Sequence, residues 1–162
     1  MKRFNTTENS LLRLRKVTYE DEELLLRWAN DPATRASSFE THHISDEEHH
    51  AWFTKMMDDP ERIAFILMED DAPVGQCRID IEGESAEIDY SIAPDRRGMG
   101  YGKLIVALLL DEVHEHYPEI SRLIAKVKPK NVASARCFTN NGFEEKYECY
   151  EYNLSEWQGT LG

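Results

Sequence analysis

The chain has 162 residues, with 19 Lys and Arg against 31 Asp and Glu, a formal net charge of −12 and 41% apolar residues. That is the size and make-up of one folded domain with a single sizeable core. So acidic a balance excludes a general basic face for nucleic acid or an anionic membrane, while leaving room for a local basic pocket. The longest apolar run, residues 104–110, falls far short of the about 20 residues a membrane span needs. No apolar stretch follows the charged Met1-Lys2-Arg3 start, so no signal peptide is expected. Cys77, Cys137 and Cys149 are scattered, odd in number and without CxxC spacing, which reads as reduced thiols in a cytoplasmic protein.

Residues 11–17 alternate apolar and charged side chains, as a half-buried strand does. Thr18, with Asp21 three residues on, caps a helix whose stripe is Leu24, Leu25 and Trp28 and which ends at Asn30-Asp31-Pro32. Ser45 with Glu48 forms a capping box for a second helix, with Trp52, Phe53 and Met56 on its apolar side. Three strands follow, at 62–68, 74–81 and 86–93, joined by short turns that make an antiparallel meander. A glycine-rich turn leads into a helix over 101–116 with Tyr101, Leu104, Ile105, Leu108 and Val113 on one stripe, stopped by Pro118. A short strand at 123–127, a helix at 131–140 closed by Asn141-Gly142, and a last strand region at 143–154 complete the pattern. The order β-α-α-β-β-β-α-β-α-β predicts one α/β domain over 1–162, its sheet mixed and mostly antiparallel, flanked by helices and parallel around the 101–116 helix.

The densest chemical signal is Arg97-Gly98-Met99-Gly100-Tyr101-Gly102 between a strand and a helix. Glycine allows positive φ and close backbone approach. A helix N-terminus adds unpaired N–H groups and a positive dipole end, so the two together can cradle a pyrophosphate. A Walker loop is excluded, because Gly102-Lys103 is followed by Leu104. A dinucleotide fingerprint is excluded, because the spacing is GxGxG and the turn follows an antiparallel meander. A plain tight turn is the remaining ordinary reading.

Arg97-x-x-Gly100-x-Gly102 resembles the acyl-coenzyme A signature of the GCN5-related N-acetyltransferases. Asn131, Ser134 and Asn141-Gly142-Phe143 resemble that family's second block, and the resemblance extends over about residues 10–155. It implies a fold with acyl-coenzyme A at the glycine-rich turn, acetyl-coenzyme A as cosubstrate and no metal. The implied coenzyme contacts are the backbone of Gly98, Met99, Gly100, Tyr101, Gly102 and Lys103 for the pyrophosphate, and the backbone of Ile92 and Ala93 for the pantetheine arm. The side chains of Asn131 and Ser134 join them beside that arm.

Amide formation from a thioester needs a neutral amine, yet amines are largely protonated near pH 7. A base is therefore required. Glu87 is the candidate: it lies on the strand before the loop and, in Ala86-Glu87-Ile88, resembles the catalytic glutamate of the family's histone-modifying branch. An exposed acid on a half-polar strand is the ordinary alternative. Asp89 and Ser91 share its face by alternation. Where many family members carry a tyrosine as acid for the leaving thiolate, this chain has Phe138. Tyr90, Cys137, Tyr147 and Tyr150 are substitutes that the sequence does not rank. An acyl-enzyme on Cys137 is disfavoured, since no histidine partner is evident for it.

The first half of the chain is left for the acceptor. Its segments around Asn30 and Arg35, His49, Trp52 and Phe53, and Arg78 resemble the branch that acetylates nucleotide-linked amino sugars in pseudaminic and legionaminic acid synthesis. The resemblance implies a UDP-linked 4-amino-4,6-dideoxy sugar as acceptor. Arg35 and Arg78 suit a diphosphate, Trp52 or Phe53 a base or sugar face, and His49 a hydrogen bond or proton relay. Trp52 and Phe53 also fit a core stripe, and Arg78 a solvated strand position. His42, His43, His49 and His50 lack the spacing of a metal site. A protein N-terminal or ribosomal-protein acetyltransferase, and a non-enzymatic coenzyme sensor, are the other classes the sequence admits. A homo-oligomer is compatible with all of them.

Overall fold

The computed structural model describes residues 4–5 and 10–156. Six strands form one sheet in chain order: β1 (Phe4–Asn5), β2 (Leu11–Lys16), β3 (Arg62–Glu69), β4 (Ala72–Glu82), β5 (Ser85–Ile92) and β6 (Arg122–Ala125). Every neighbouring pair is antiparallel except β5 with β6, which are parallel and joined across α4 (Tyr101–His116). Three helices, α1 (Glu22–Ala29), α2 (Pro32–Ser37) and α3 (Asp46–Asp58), come between β2 and β3, and α5 (Val132–Asn140) follows β6.

β3 reads as a continuous apolar run because both of its faces are covered. Phe65 and Leu67 join Cys77, Ile79 and Ile88 under Ile105, Leu108 and Leu109 of α4. Ile66 and Met68 pack on the opposite face against Leu25 and Trp28 of α1 and Phe53 and Met56 of α3. α4 occupies the predicted span, and its stripe is deepened by buried Val106 and Leu109. The Asn141-Gly142 stop is a Schellman turn: Phe143 N–H donates to Phe138 C=O and Gly142 N–H to Thr139 C=O, with Gly142 at φ 90°.

Two expectations are corrected. Asn30-Asp31-Pro32 ends α1 but also starts α2, since the Asp31 carboxylate accepts from Thr34 N–H and Pro32 sits where a helix needs no N–H. The strand predicted at 143–154 is absent: residues 144–153 join no ladder and are exposed, with Tyr147 70% and Tyr150 87% accessible. A strand-like composition makes a strand only where a neighbouring edge pairs with it.

Candidate functional site

β6 ends at Ala125, opposite Ile88, while β5 continues to Ile92. Along 89–92 the β6-side edge of β5 therefore faces no strand, and a cleft of about 810 Å³ opens there. One wall is the glycine turn and α4, with Gly98, Gly100, Gly102 and Lys103; another is Lys126, Lys128, Asn131, Ser134, Cys137 and Phe138 on and before α5. The acceptor-side wall carries Trp28, Arg35, His49, Trp52, Gln76 and Arg78. An open strand edge lined by backbone donors and acceptors suits an extended amide-bearing ligand such as the pantetheine arm.

The glycine turn is built as a cradle. Gly98 and Gly100 have φ of 75° and 87°, and a Cβ on either would meet nothing within 4 Å. The turn is thus left-handed backbone facing open space, at the N-terminus of the 16-residue helix α4. Gly102 is a glycine for another reason: a Cβ there would stand 2.8 Å from Cys137 Sγ and 3.4 Å from the Tyr90 hydroxyl. The residues present fit a pyrophosphate. Arg97 stands at the edge of this cradle and crosses to α2, donating to the Asp31 carboxylate and, at 3.0 Å, to the Thr34 hydroxyl. Lys128 makes a second crossing, to Ala36 C=O at 3.1 Å.

The other predicted coenzyme residues divide. Ile92, Lys103, Asn131, Ser134 and Phe138 line the cleft, whereas Met99 is exposed outside it. Ala93 is buried against the α1 and α3 core, and its N–H already donates to Val74 C=O at 2.9 Å, so that amide is not free for a ligand. The Tyr101 side chain turns to Glu69, donating its hydroxyl at 2.6 Å, which leaves only its backbone to the cradle. Asn131 caps α5 through Oδ1, which accepts from Ser134 N–H.

Glu87 is exposed, lies 3.3 Å from Lys126 Nζ and lines a separate shallow cavity with Asp59, Glu61, Asp80 and Glu82. Its neighbour by alternation, Asp89, lines the cleft, as do Glu40 and Glu48 on the opposite wall. The Asp89 side chain opens to solvent through the cleft; the protein packed around it still pushes its carboxyl above its ordinary value, with the Arg78 charge and a Gln76 hydrogen bond opposing the shift. Gln76 Nε2 lies 3.5 Å from Asp89 and 3.1 Å from Ser91 Oγ. Alternation marked Asp89 and Glu87 alike. What separates them is where β6 stops: Glu87 pairs with Ile124, while Asp89 lies beyond the end of the ladder.

On the acceptor side, Arg35 lines the cleft but its guanidinium is engaged, donating to Ala29 C=O at 2.6 Å, Glu40 C=O at 3.0 Å and Ser38 Oγ at 3.1 Å. Asn30 pairs with both backbone groups of Ile44 at 2.8 Å. These two residues hold the 38–44 loop as a wall and offer no anion site. Phe53 is fully buried in the core and absent from the cleft. His49 is buried between Trp52 and Phe53, and desolvation holds its imidazole below the ordinary value, hence neutral near pH 7. Arg78 stacks over Trp52 with Cζ 5.2 Å from the ring centroid, and its Nε donates to Asp80 at 3.1 Å. Of the predicted histidines, His42 pairs with Glu48 and His50 with Glu22. Among the described residues no three His, Cys, Asp or Glu side chains converge as metal ligands, and no helix is long and apolar enough to cross a membrane.

A family model described as the acetyltransferase (GNAT) domain matches residues 12–144. A protein of Bacillus licheniformis described as uncharacterized N-acetyltransferase p20 is 26% identical over 154 residues, covering 90% of this chain and 85% of that protein. A solved spermidine N-acetyltransferase from Vibrio cholerae, in complex with CoA and spermine, superposes with a TM-score of 0.78 at 21% identity, covering 84% of this chain and 82% of that one. An aminoglycoside acetyltransferase in complex with coenzyme A gives 0.73 at 19%, covering 83% and 85%. At such identities the two solved structures bear on the fold. The chain belongs to the GNAT acetyltransferase family.

Proposed function

We propose that this GNAT acetyltransferase moves the acetyl group of acetyl-CoA to the amine of a nucleotide-linked amino sugar, of the UDP-4-amino-4,6-dideoxy type, in the cytoplasm. That it is an acetyl-CoA-dependent N-acetyltransferase follows from its family. The acceptor class is the new element, and one observation carries it: Arg78 stacked on Trp52 in the cleft, beside Asp89. A guanidinium there favours an acceptor bearing an anion, and the Trp52 face accepts a flat base or a sugar face. Spermidine and aminoglycosides, for which the two solved enzymes above are named, are polycationic amines. An arginine near the reacting amine repels such acceptors. With Arg35 holding the loop, Arg78 is the anion anchor of this reading.

The chemistry is direct transfer in a ternary complex. Acetyl-CoA supplies the activated acetyl group. The backbone amides of 98–103 hold its diphosphate, and the 89–92 edge of β5 aligns its arm. Asp89 takes the amine proton, directly or through a water, and its raised value brings it closer to the range in which a base is effective near neutral pH. Gln76 and Ser91 orient it.

The test is thiol release from acetyl-CoA with three acceptors in parallel: a UDP-linked 4-amino-4,6-dideoxy sugar, spermidine, and peptides with free N-termini. Turnover of the sugar, with inhibition by UDP, is the expected result. Turnover of spermidine or of peptides alone overturns the acceptor assignment and leaves the coenzyme site standing.

A further inference from the structure

The departing thiolate needs a proton, and residue 138 is phenylalanine, with no proton to give. The structure ranks the alternatives. Tyr147 and Tyr150 lie on the exposed 144–153 segment and do not line the cleft. Among the described residues two tyrosines line it, Tyr90 and Tyr101, and the Tyr101 hydroxyl is committed to Glu69 at 2.6 Å. Tyr90 is left. It comes from β5, beside Asp89, and its ring meets the Phe138 ring edge-on with centroids 5.5 Å apart. Its hydroxyl reaches the first turn of α4, 3.4 Å from where a Gly102 Cβ would stand, the Cys137 Sγ lies 2.8 Å from the same point, and Ser134, one turn before Phe138 on α5, lines the same cleft. A hydroxyl is thus present beside the residue whose own ring lacks one, carried by a different element.

We propose that Tyr90 is the general acid of this enzyme, delivering its phenolic proton to the sulfur that leaves, with Ser134 as its positioning residue. The nitrogen lone pair forms the C–N bond and its proton goes to Asp89. The C–S bond breaks and the sulfur takes the Tyr90 proton. The proton on Asp89 returns to Tyr90 through solvent, so that amine and thioester give amide and free thiol. Desolvation keeps the Tyr90 phenol above its ordinary value, and so protonated between turnovers. Gly102 belongs to the same device, because any side chain there would displace Cys137 and crowd the Tyr90 hydroxyl.

The inference rests on the direct-transfer reading above but not on the identity of the acceptor, and its first test uses no acceptor. Binding of CoA and of desulfo-CoA, in which hydrogen replaces the thiol, is measured by calorimetry for the wild type and Tyr90→Phe. The wild type is expected to prefer CoA by about tenfold, the size of one good hydrogen bond to the sulfur. Tyr90→Phe is expected to bind the two alike, with unchanged affinity for desulfo-CoA. Equal discrimination in both proteins overturns the proposal, whatever acceptor is found. With the acceptor that turns over in the three-way assay, Tyr90→Phe is expected to lose about 100-fold in kcat at unchanged KM for acetyl-CoA. Ser134→Ala is expected to lose less, and Tyr90→Phe combined with Phe138→Tyr to recover to within about tenfold of the wild type by returning a hydroxyl from α5. Tyr90→Phe at wild-type kcat, or a double variant no better than the single one in a protein of unchanged melting temperature, would overturn it as well.

Discussion

The two walls of the cleft differ in how much of each is written in residue type. On the coenzyme wall, the glycine turn, the α4 N-terminus and the α5 block stand where the sequence puts them. On the other wall, Asn30, Arg35 and Phe53 are structural and His49 is buried, while Trp52 and Arg78 are the predicted residues that face the open cleft. The coenzyme wall works mostly through backbone. Backbone exposure needs glycine at positive φ and a helix start, and both are written in residue type. The acceptor wall works through side chains, and what a guanidinium does depends on which carbonyls surround it.

The sharpest way to break that contrast is Gly100→Val. A β-branched residue at φ 87° is strained, and its side chain fills the space that a pyrophosphate would occupy. Acetyl-CoA affinity is expected to fall at least about 100-fold in a protein that still folds, by calorimetry with circular dichroism as control. Unchanged affinity would show that the turn is not the cradle.

Next in size is the pair Asp89→Asn and Glu87→Gln. The first is expected to lower kcat by about 10²–10³, within the usual range for a general base, with CoA binding kept. The second is expected to stay within about threefold, because Glu87 lies outside the cleft, against Lys126. The acid limb of kcat/KM for the wild type is expected to lie above the value of a free aspartate, since the surrounding protein raises the Asp89 carboxyl and activity appears only as that group loses its proton.

The acceptor wall itself is divided by Arg78→Ala and Arg35→Ala. Arg78→Ala is expected to raise acceptor KM about tenfold, one charge-assisted contact, with little change for acetyl-CoA. Arg35→Ala is expected to lower the melting temperature, because it leaves the Ala29 and Glu40 carbonyls without their donor. A selective KM effect from Arg35 and none from Arg78 would reverse the assignment.

The last comparison lies away from the cleft and acts on stability alone. Arg15 grips Asp21 with two hydrogen bonds of 2.8 Å, and Thr18 N–H adds a third of 2.8 Å, so Asp21 is held below the usual carboxylate range. The unfolded chain then binds the proton more readily. This stability is fully present above the unfolded value of about 3.9 and is lost as pH falls through the folded value. Asp21→Asn is expected to cost about 2 kcal/mol at pH 7 and to flatten the acid side of the stability–pH curve, by urea titration at several pH values.

By itself the sequence determined the order of elements from β3 to α5, the span of α4, the glycines of the strand-to-helix turn and the C-terminal stop at Gly142. Each rests on residues a few positions apart whose conformational limits are intrinsic. The tertiary structure decided what depends on distant partners. The strand expected at 143–154 has no ladder. Asp89 rather than Glu87 faces the cleft, because β6 ends opposite Ile88. Arg35 closes a loop instead of meeting a ligand, and Tyr90 is the tyrosine left with its hydroxyl toward α5. Alternation assigns a residue to a face of a strand. Only the length of the neighbouring strand determines whether that position meets a ligand cleft or a lysine.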